Sequence, residues 1–111
     1  MSRKRLSLAL GRHAEKEIEE ATDYFEGERK GLGATFQATL HATFDRIVRF
    51  PESFSTVLVT RDGYPVRRAL THPFSYMVVY VELPRALRVV AVAHTKRRPL
   101  YWRRRLRREG K

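Results

Sequence analysis

The sequence predicts an α+β fold: a short amino-terminal strand, an α-helical hairpin packed on a small antiparallel β-sheet, and a basic carboxy-terminal tail. Three observations carry this expectation. Ala14, Ile18, Ala21 and Phe25 fall 4, 3 and 4 residues apart, and Phe36, Leu40, Phe44 and Ile47 repeat that helical spacing. Three Val/Tyr-rich runs then follow in the second half, each short and closely connected to the next. The tail holds nine Lys/Arg in the twenty residues 92–111.

In chain order, "RLSLAL" alternates enough for a brief strand ended by Gly11. The first helix begins at Arg12, and Glu15, Glu19 and Glu26 give it an acidic outside. "KGLG", residues 30–33, breaks it. The second helix should stop near Phe50, before Pro51, with Ala21 and Ala38 small enough for close approach of the pair. Residues 51–63 read as an irregular connection with "RDG" as its turn. "YPVRRAL", "YMVVYVEL" and "ALRVVAVAH" read as three strands, and links as short as "THPFS" and "LPR" favour antiparallel neighbours. Simple alternation in the last strand places Leu87, Val89, Ala91 and Ala93 on one face and Arg88, Val90, Val92 and His94 on the other. One face should lie under the helices and the other should be partly open.

A chain of 111 residues with 42% hydrophobic and 32% charged content suits one globular domain, spanning 1–111 with the tail at 96–111. With no cysteine there is no disulfide and no thiolate metal site. His13, His41, His72 and His94 are scattered and no HExxH occurs, so no metal is expected. Gly31 and Gly33 lie between helices rather than after a strand, which removes phosphate-loop and dinucleotide readings, and no cofactor is expected. The apolar run Leu6–Leu10 is shorter than the roughly 7 to 15 residues of a signal peptide, and nothing approaches the roughly 18 needed to span a bilayer. A cytoplasmic protein with no membrane partner is the expectation.

Charge is one-sided. Residues 1–60 carry nine Lys/Arg and nine Asp/Glu, whereas 61–111 carry fourteen against three, so the whole net charge of +11 lies in the second half. Such a field attracts polyanions or an acidic protein. Arginine outnumbers lysine eighteen to five, which favours bidentate contacts to carboxylate or phosphate.

Candidate chemistry gathers near the carboxy terminus. Arg67 and Arg68 point to opposite faces of their strand, and His94 ends the last strand beside Lys96, Arg97 and Arg98. For phosphodiester chemistry, arginines neutralise charge developing on phosphate while a neutral imidazole or a tyrosine moves a proton. The alternative is that His94 caps a strand end, hydrogen-bonded to backbone, among solvated charges. Pro99 can start a helical segment in which Leu100, Trp102 and Leu106 anchor the tail. Tyr101 and Trp102 could stack on bases, making a basic nucleic-acid-binding module, or could dock the tail onto the sheet.

The segments "AEKEIEEATDYFEGERKGLGATFQATLHATFDRIVRFPE", "VRRALTHPFSYMVVYVE" and "LRVVAVAHTKRRPLYWRRR", in this order, resemble the RelE/ParE superfamily of toxins from bacterial type II toxin–antitoxin modules, closer in overall pattern to ParE. The resemblance covers residues 6 to 105 and implies the same fold. It also implies a cognate antitoxin, net acidic, that neutralises the toxin in a hetero-oligomer. ParE-like members inhibit DNA gyrase by binding; RelE-like members are metal-free endonucleases that cut mRNA on the translating ribosome. In the RelE-like case Arg67 or Arg68, His94, Arg97 and Tyr101 would form the catalytic set, although the lysine cluster of such sites is reduced here to Lys96. In either case Arg67, Arg68, Arg88, Lys96, Arg97, Arg98, Tyr101, Trp102, Arg103, Arg104 and Arg105 are the residues expected to meet target or antitoxin.

Overall fold

A computed structural model describes residues 6–106, so the tail residues beyond Leu106 and the opening basic residues lie outside the described residues. Five strands, β1 (Ser7–Leu10), β2 (Ser55–Val59), β3 (Pro65–Thr71), β4 (Tyr76–Glu82) and β5 (Ala86–His94), form one sheet in the order β1-β5-β4-β3-β2. Helices α1 (Arg12–Glu28) and α2 (Leu32–Arg49) connect β1 to the rest. The fold is the expected α+β arrangement with one refinement: the sheet is mixed. β2 to β5 pair antiparallel as short links require, whereas β1 lies parallel to β5.

The helical hairpin is locked at its tip. Gly31 adopts φ +90°, the left-handed region that a glycine enters without a Cβ clash, and α2 starts directly after it. Glu26 accepts the Gly31 and Gly33 backbone N–H groups at 3.0 Å, so a carboxylate from α1 caps the open amides of α2. Close approach of the helices occurs at Gly33, where an added Cβ would meet the Thr22 carbonyl oxygen at 2.9 Å. Ala38, expected at that contact, is exposed instead, because its position on α2 faces away from α1 and β-sheet alike.

Phe36, Leu40 and Ile47 of α2 and Ala14 and Ala21 of α1 are buried against Ala69, Val78, Tyr80, Leu87, Val89 and Val92. Side chains of this size each contribute about 1.5–3 kcal/mol when fully buried. Phe25, Phe36, Phe74 and Tyr76 close one end of that core with ring centroids 4.9 to 5.7 Å apart. At the other end, buried Tyr80 donates its hydroxyl to the Pro51 carbonyl at 2.6 Å.

Two expectations are corrected here. Residues 51–63 are not irregular throughout: a 3₁₀ turn at Pro51–Ser53 leads into β2, the outermost strand beyond β3. "STVLV" is half-exposed with a register shift between Thr56 and Leu58, so its alternation is too faint to mark a strand. The "RDG" turn does lie between β2 and β3, with Gly63 at φ +90°. The second correction concerns faces. A bulge in β5 pairs Val79 with Ala91 but Tyr80 with Val89, leaving Val90 extra. One inserted residue inverts everything after it. Leu87, Val89 and Val92 therefore share the helix side, while Val90, Ala91 and Ala93 turn to the far side.

That far side is partly open, as expected: Arg68 and Leu70 of β3 are exposed on it, whereas the part over β4 and β5 is covered. Val66, Met77, Val79, Val81, Val90, Ala91 and Ala93 form a second apolar layer closed by Trp102, itself 2% exposed, with Tyr101 and Leu106 beside it. No helix among the described residues is long and apolar enough to cross a membrane.

Candidate functional site

The site grows from the place where β1 ends. Leu10 is the last β1 residue paired with β5, opposite Val89, and the Gly11 N–H donates to the Val89 carbonyl at 2.9 Å. The chain then turns into α1, so the β5 edge beyond Val89 has lost its neighbouring strand just where the bulge occurs. Its backbone groups still need partners. Glu17 of α1 accepts the Val92 N–H at 2.9 Å, and Arg105 donates to the Val90 carbonyl at 2.9 Å.

These two side chains also grip each other. Arg105 Nη1 and Nη2 donate to Glu17 Oε1 and Oε2, both at 3.0 Å, a two-pronged guanidinium–carboxylate pair whose side chains are only 16% and 13% exposed. The Tyr101 hydroxyl donates to Glu17 Oε2 at 2.5 Å. Arg97 stacks over the Tyr101 ring at 4.0 Å and Arg105 at 5.0 Å. Burial, together with the Glu17 hydrogen bond and charge, pushes the Tyr101 phenol well above its ordinary range. Burial alone would pull the Arg105 guanidinium down, but the hydrogen bonds and charge of Glu17 outweigh it, and the net shift is upward.

The segment after His94 runs through consecutive turns: Arg97 N–H to His94 O, Tyr101 N–H to Arg98 O, Arg103 N–H to Leu100 O and Arg105 N–H to Trp102 O. Among the described residues it holds a 3₁₀ turn at Arg103–Arg105, with Leu106 helical after it. The expected helix from Pro99 does not form, since Leu100 takes φ +59°, a left-handed value that no right-handed helix contains. Trp102 and Leu106 are anchors as expected; Leu100 is not, being 40% exposed.

The remaining candidates are dispersed. Arg67 lies on the helix side of β3, where Nε donates to Glu82 at 2.9 Å and Nη1 to the Phe54 carbonyl and Thr56 hydroxyl. It pairs across from Tyr80, whereas His94 pairs with Tyr76, about 13 Å further along β4 by strand rise and on the opposite neighbour. Arg68 points to the far side and is exposed. Arg88, opposite Val81, has its Nε buried without a hydrogen-bond partner among the described residues. Lys96, Arg97, Arg98, Arg103 and Arg104 are exposed.

His94, carried by the bulge to the helix side, packs edge-on to Tyr76 at 5.6 Å. Its Nδ1 accepts the Lys96 N–H at 3.1 Å, so the outward Nε2 bears the proton in the neutral ring. Arg97, Tyr101 and Arg105 thus come together, His94 is joined to Arg97 through a backbone hydrogen bond of 2.9 Å, and Arg67 stands apart from them on β3. No group of three His, Asp or Glu among the described residues could hold a metal.

Sequence reasoning missed Glu17. The signal was present: position 17 is three residues after Ala14 and four before Ala21, so this carboxylate sits in the apolar stripe of α1 rather than on its acidic outside.

No protein-family model and no curated protein matches the chain. Among solved structures, a chain described as "Chromosomal ParDE TA system from P. aeruginosa" superposes with a TM-score of 0.68 over 81% of this chain and 96% of that one. The two chains share their fold. Identity to that chain is 8%, so the likeness lies in the strand, hairpin and sheet arrangement, and the Glu17–Tyr101–Arg105 node must be argued from this chain's own residues.

Proposed function

We propose that the chain is the toxin of a type II toxin–antitoxin module, neutralised by a cognate acidic antitoxin, and that it acts by binding, inhibiting DNA gyrase in the ParE fashion. The fold shared with a chain of a ParDE system supports the toxin class, and the net charge of +11 suits an acidic partner. One observation carries the preference for binding over cleavage: the groups able to move protons are engaged elsewhere. The Tyr101 hydroxyl is held by Glu17 with its ionisation pushed upward, and the accessible His94 nitrogen is a donor in the neutral ring. A general base needs a free lone pair near the reacting hydroxyl.

The mRNA endonuclease reading keeps one favourable observation, the exposed His94 beside Lys96, Arg97 and Arg98. A basic nucleic-acid-binding module outside the toxins is the third reading. Expression of the chain alone should arrest growth of a bacterial host, and co-expression of the acidic neighbour gene product should restore it. His94→Ala should leave the arrest intact. Loss of arrest by roughly the 100- to 10,000-fold that a proton-transfer group contributes, in a variant that stays folded, would move the assignment to the nuclease.

A further inference from the structure

We propose that the chain self-associates through the outer edge of β2, two copies pairing antiparallel about a two-fold axis so that their five-stranded sheets become continuous. The partner is a second copy of this chain, and the inference does not depend on the toxin reading.

No strand pairs beyond β2 among the described residues, and "STVLV" carries neither the charge nor the proline that usually guards an exposed edge. Its backbone has groups to offer. The Thr60 N–H donates to the Tyr64 carbonyl, and Pro65, opposite Val59, has no N–H to give. Alternation of the ladder therefore turns the Val59 N–H and C=O outward.

Two large apolar side chains flank this edge in solvent. Val59 is 59% exposed at its end, and Phe50, in the turn that leads into it, is 61% exposed. Both lie on the helix side of the sheet: Phe50 ends α2, and Val59 pairs with Pro65, two residues from the helix-side Arg67. A two-fold axis perpendicular to the sheet keeps the helix sides of both copies on one face. Antiparallel pairing then sets Val59 of each copy toward the Phe50 end of the other. Charge follows the same pattern. Arg49 beside Phe50 and Asp62 in the turn after β2 are exposed at opposite ends of the strand, so the axis brings each toward its opposite in the other copy.

A chain of net charge +11 resists any contact that brings its cations face to face. The β2 edge avoids this, since residues 50–64 hold Arg61 against Glu52 and Asp62, net −1. The basic segment follows β5, three strands away from β2. Across the joined sheets the two β5 strands are seven spacings or about 33 Å apart, several times the Debye length of about 8 Å at physiological salt. The register shift between Thr56 and Leu58 bends the strand and limits the ladder to a few residues, so the contact is a weak, reversible dimer.

Sedimentation equilibrium of the full chain, from low micromolar to near-millimolar concentration, should show the mass rising from 13.0 kDa toward twice that value and no further. Val59→Lys acts twice in a two-fold contact and should raise the dissociation constant at least about tenfold without lowering thermal stability. Ser7→Lys, on the β1 edge, should leave association unchanged. Arg49→Asp and Asp62→Arg should each weaken self-association, and mixing the two variants should restore a dimer, because each supplies the charge the other lacks. If Val59→Lys fails to fold, the mixing experiment decides alone. A chain that stays monomeric throughout, a dimer indifferent to Val59→Lys or broken by Ser7→Lys, or growth beyond a dimer would overturn the proposal. So would mixed variants that associate no more tightly than either one alone.

Discussion

The helix side of the sheet is closed by two helices of 17 and 18 residues, whereas the far side is closed over β4 and β5 by the turns after His94, with a single tryptophan as the largest plug. Both layers bury valines completely. They differ in what holds the cover on. The helical hairpin is fixed by dispersed apolar contact along its length, so no one side chain decides whether it stays. The far-side cover depends on Trp102 and on one carboxylate, Glu17, that belongs to the other side of the molecule. A cover of that kind can carry a charged, partner-facing surface, because its stability does not require its own outer residues to be apolar.

Substitutions that strike the two covers separately should break this contrast in a graded way. Trp102→Ala should cost about 3–5 kcal/mol, and hydrogen exchange should show residues 95–106 losing protection before the hairpin does. Glu17→Ala leaves the Val92 N–H and the Tyr101 hydroxyl without their acceptor and Arg105 with the Val90 carbonyl alone, for a loss of about 2–3 kcal/mol in denaturant unfolding and faster tryptic cleavage after Arg97 or Arg103. On the helix side, Gly33→Ala forces a methyl against the Thr22 carbonyl and should cost about 1–3 kcal/mol. Gly27→Ala, with nothing within 4 Å, should instead gain up to about 1 kcal/mol.

The smallest effect is confined to alkaline pH. Tyr80 and Tyr101 are both raised above the ordinary value of 10.0, by burial first and then by nearby carboxylate charge. Their contribution is fully present below pH 10 and is lost as pH rises further, since the unfolded chain releases those protons first. Thermal melts should be flat from neutral pH to about 9 and fall above 10, with phenolate absorbance from these two rings emerging only on unfolding.

Much of the architecture was legible because it rests on periodicity. Phe36, Leu40 and Ile47 are at the core where a 3.6-residue repeat puts them, and β3, β4 and β5 follow Val/Tyr-rich runs. What was not legible depends on contacts between distant residues. The Val90 bulge inverts the faces of the residues up to His94, and nothing in "LRVVAVAH" marks it, because valine suits either face. β2 gains its strand character from pairing with β3 rather than from its own pattern. Tyr101 and Arg105 look like a solvent-facing basic motif until Glu17, 84 and 88 residues earlier in the chain, is brought beneath them.

The central claim is that this chain acts by binding rather than by cutting. Purified protein should be assayed in parallel for inhibition of ATP-dependent supercoiling by DNA gyrase and for cleavage of mRNA on translating ribosomes. The expected result is loss of supercoiling with mRNA left intact. Discrete mRNA cuts alongside unimpaired gyrase would contradict it, and would return His94 and Arg97 to the catalytic role.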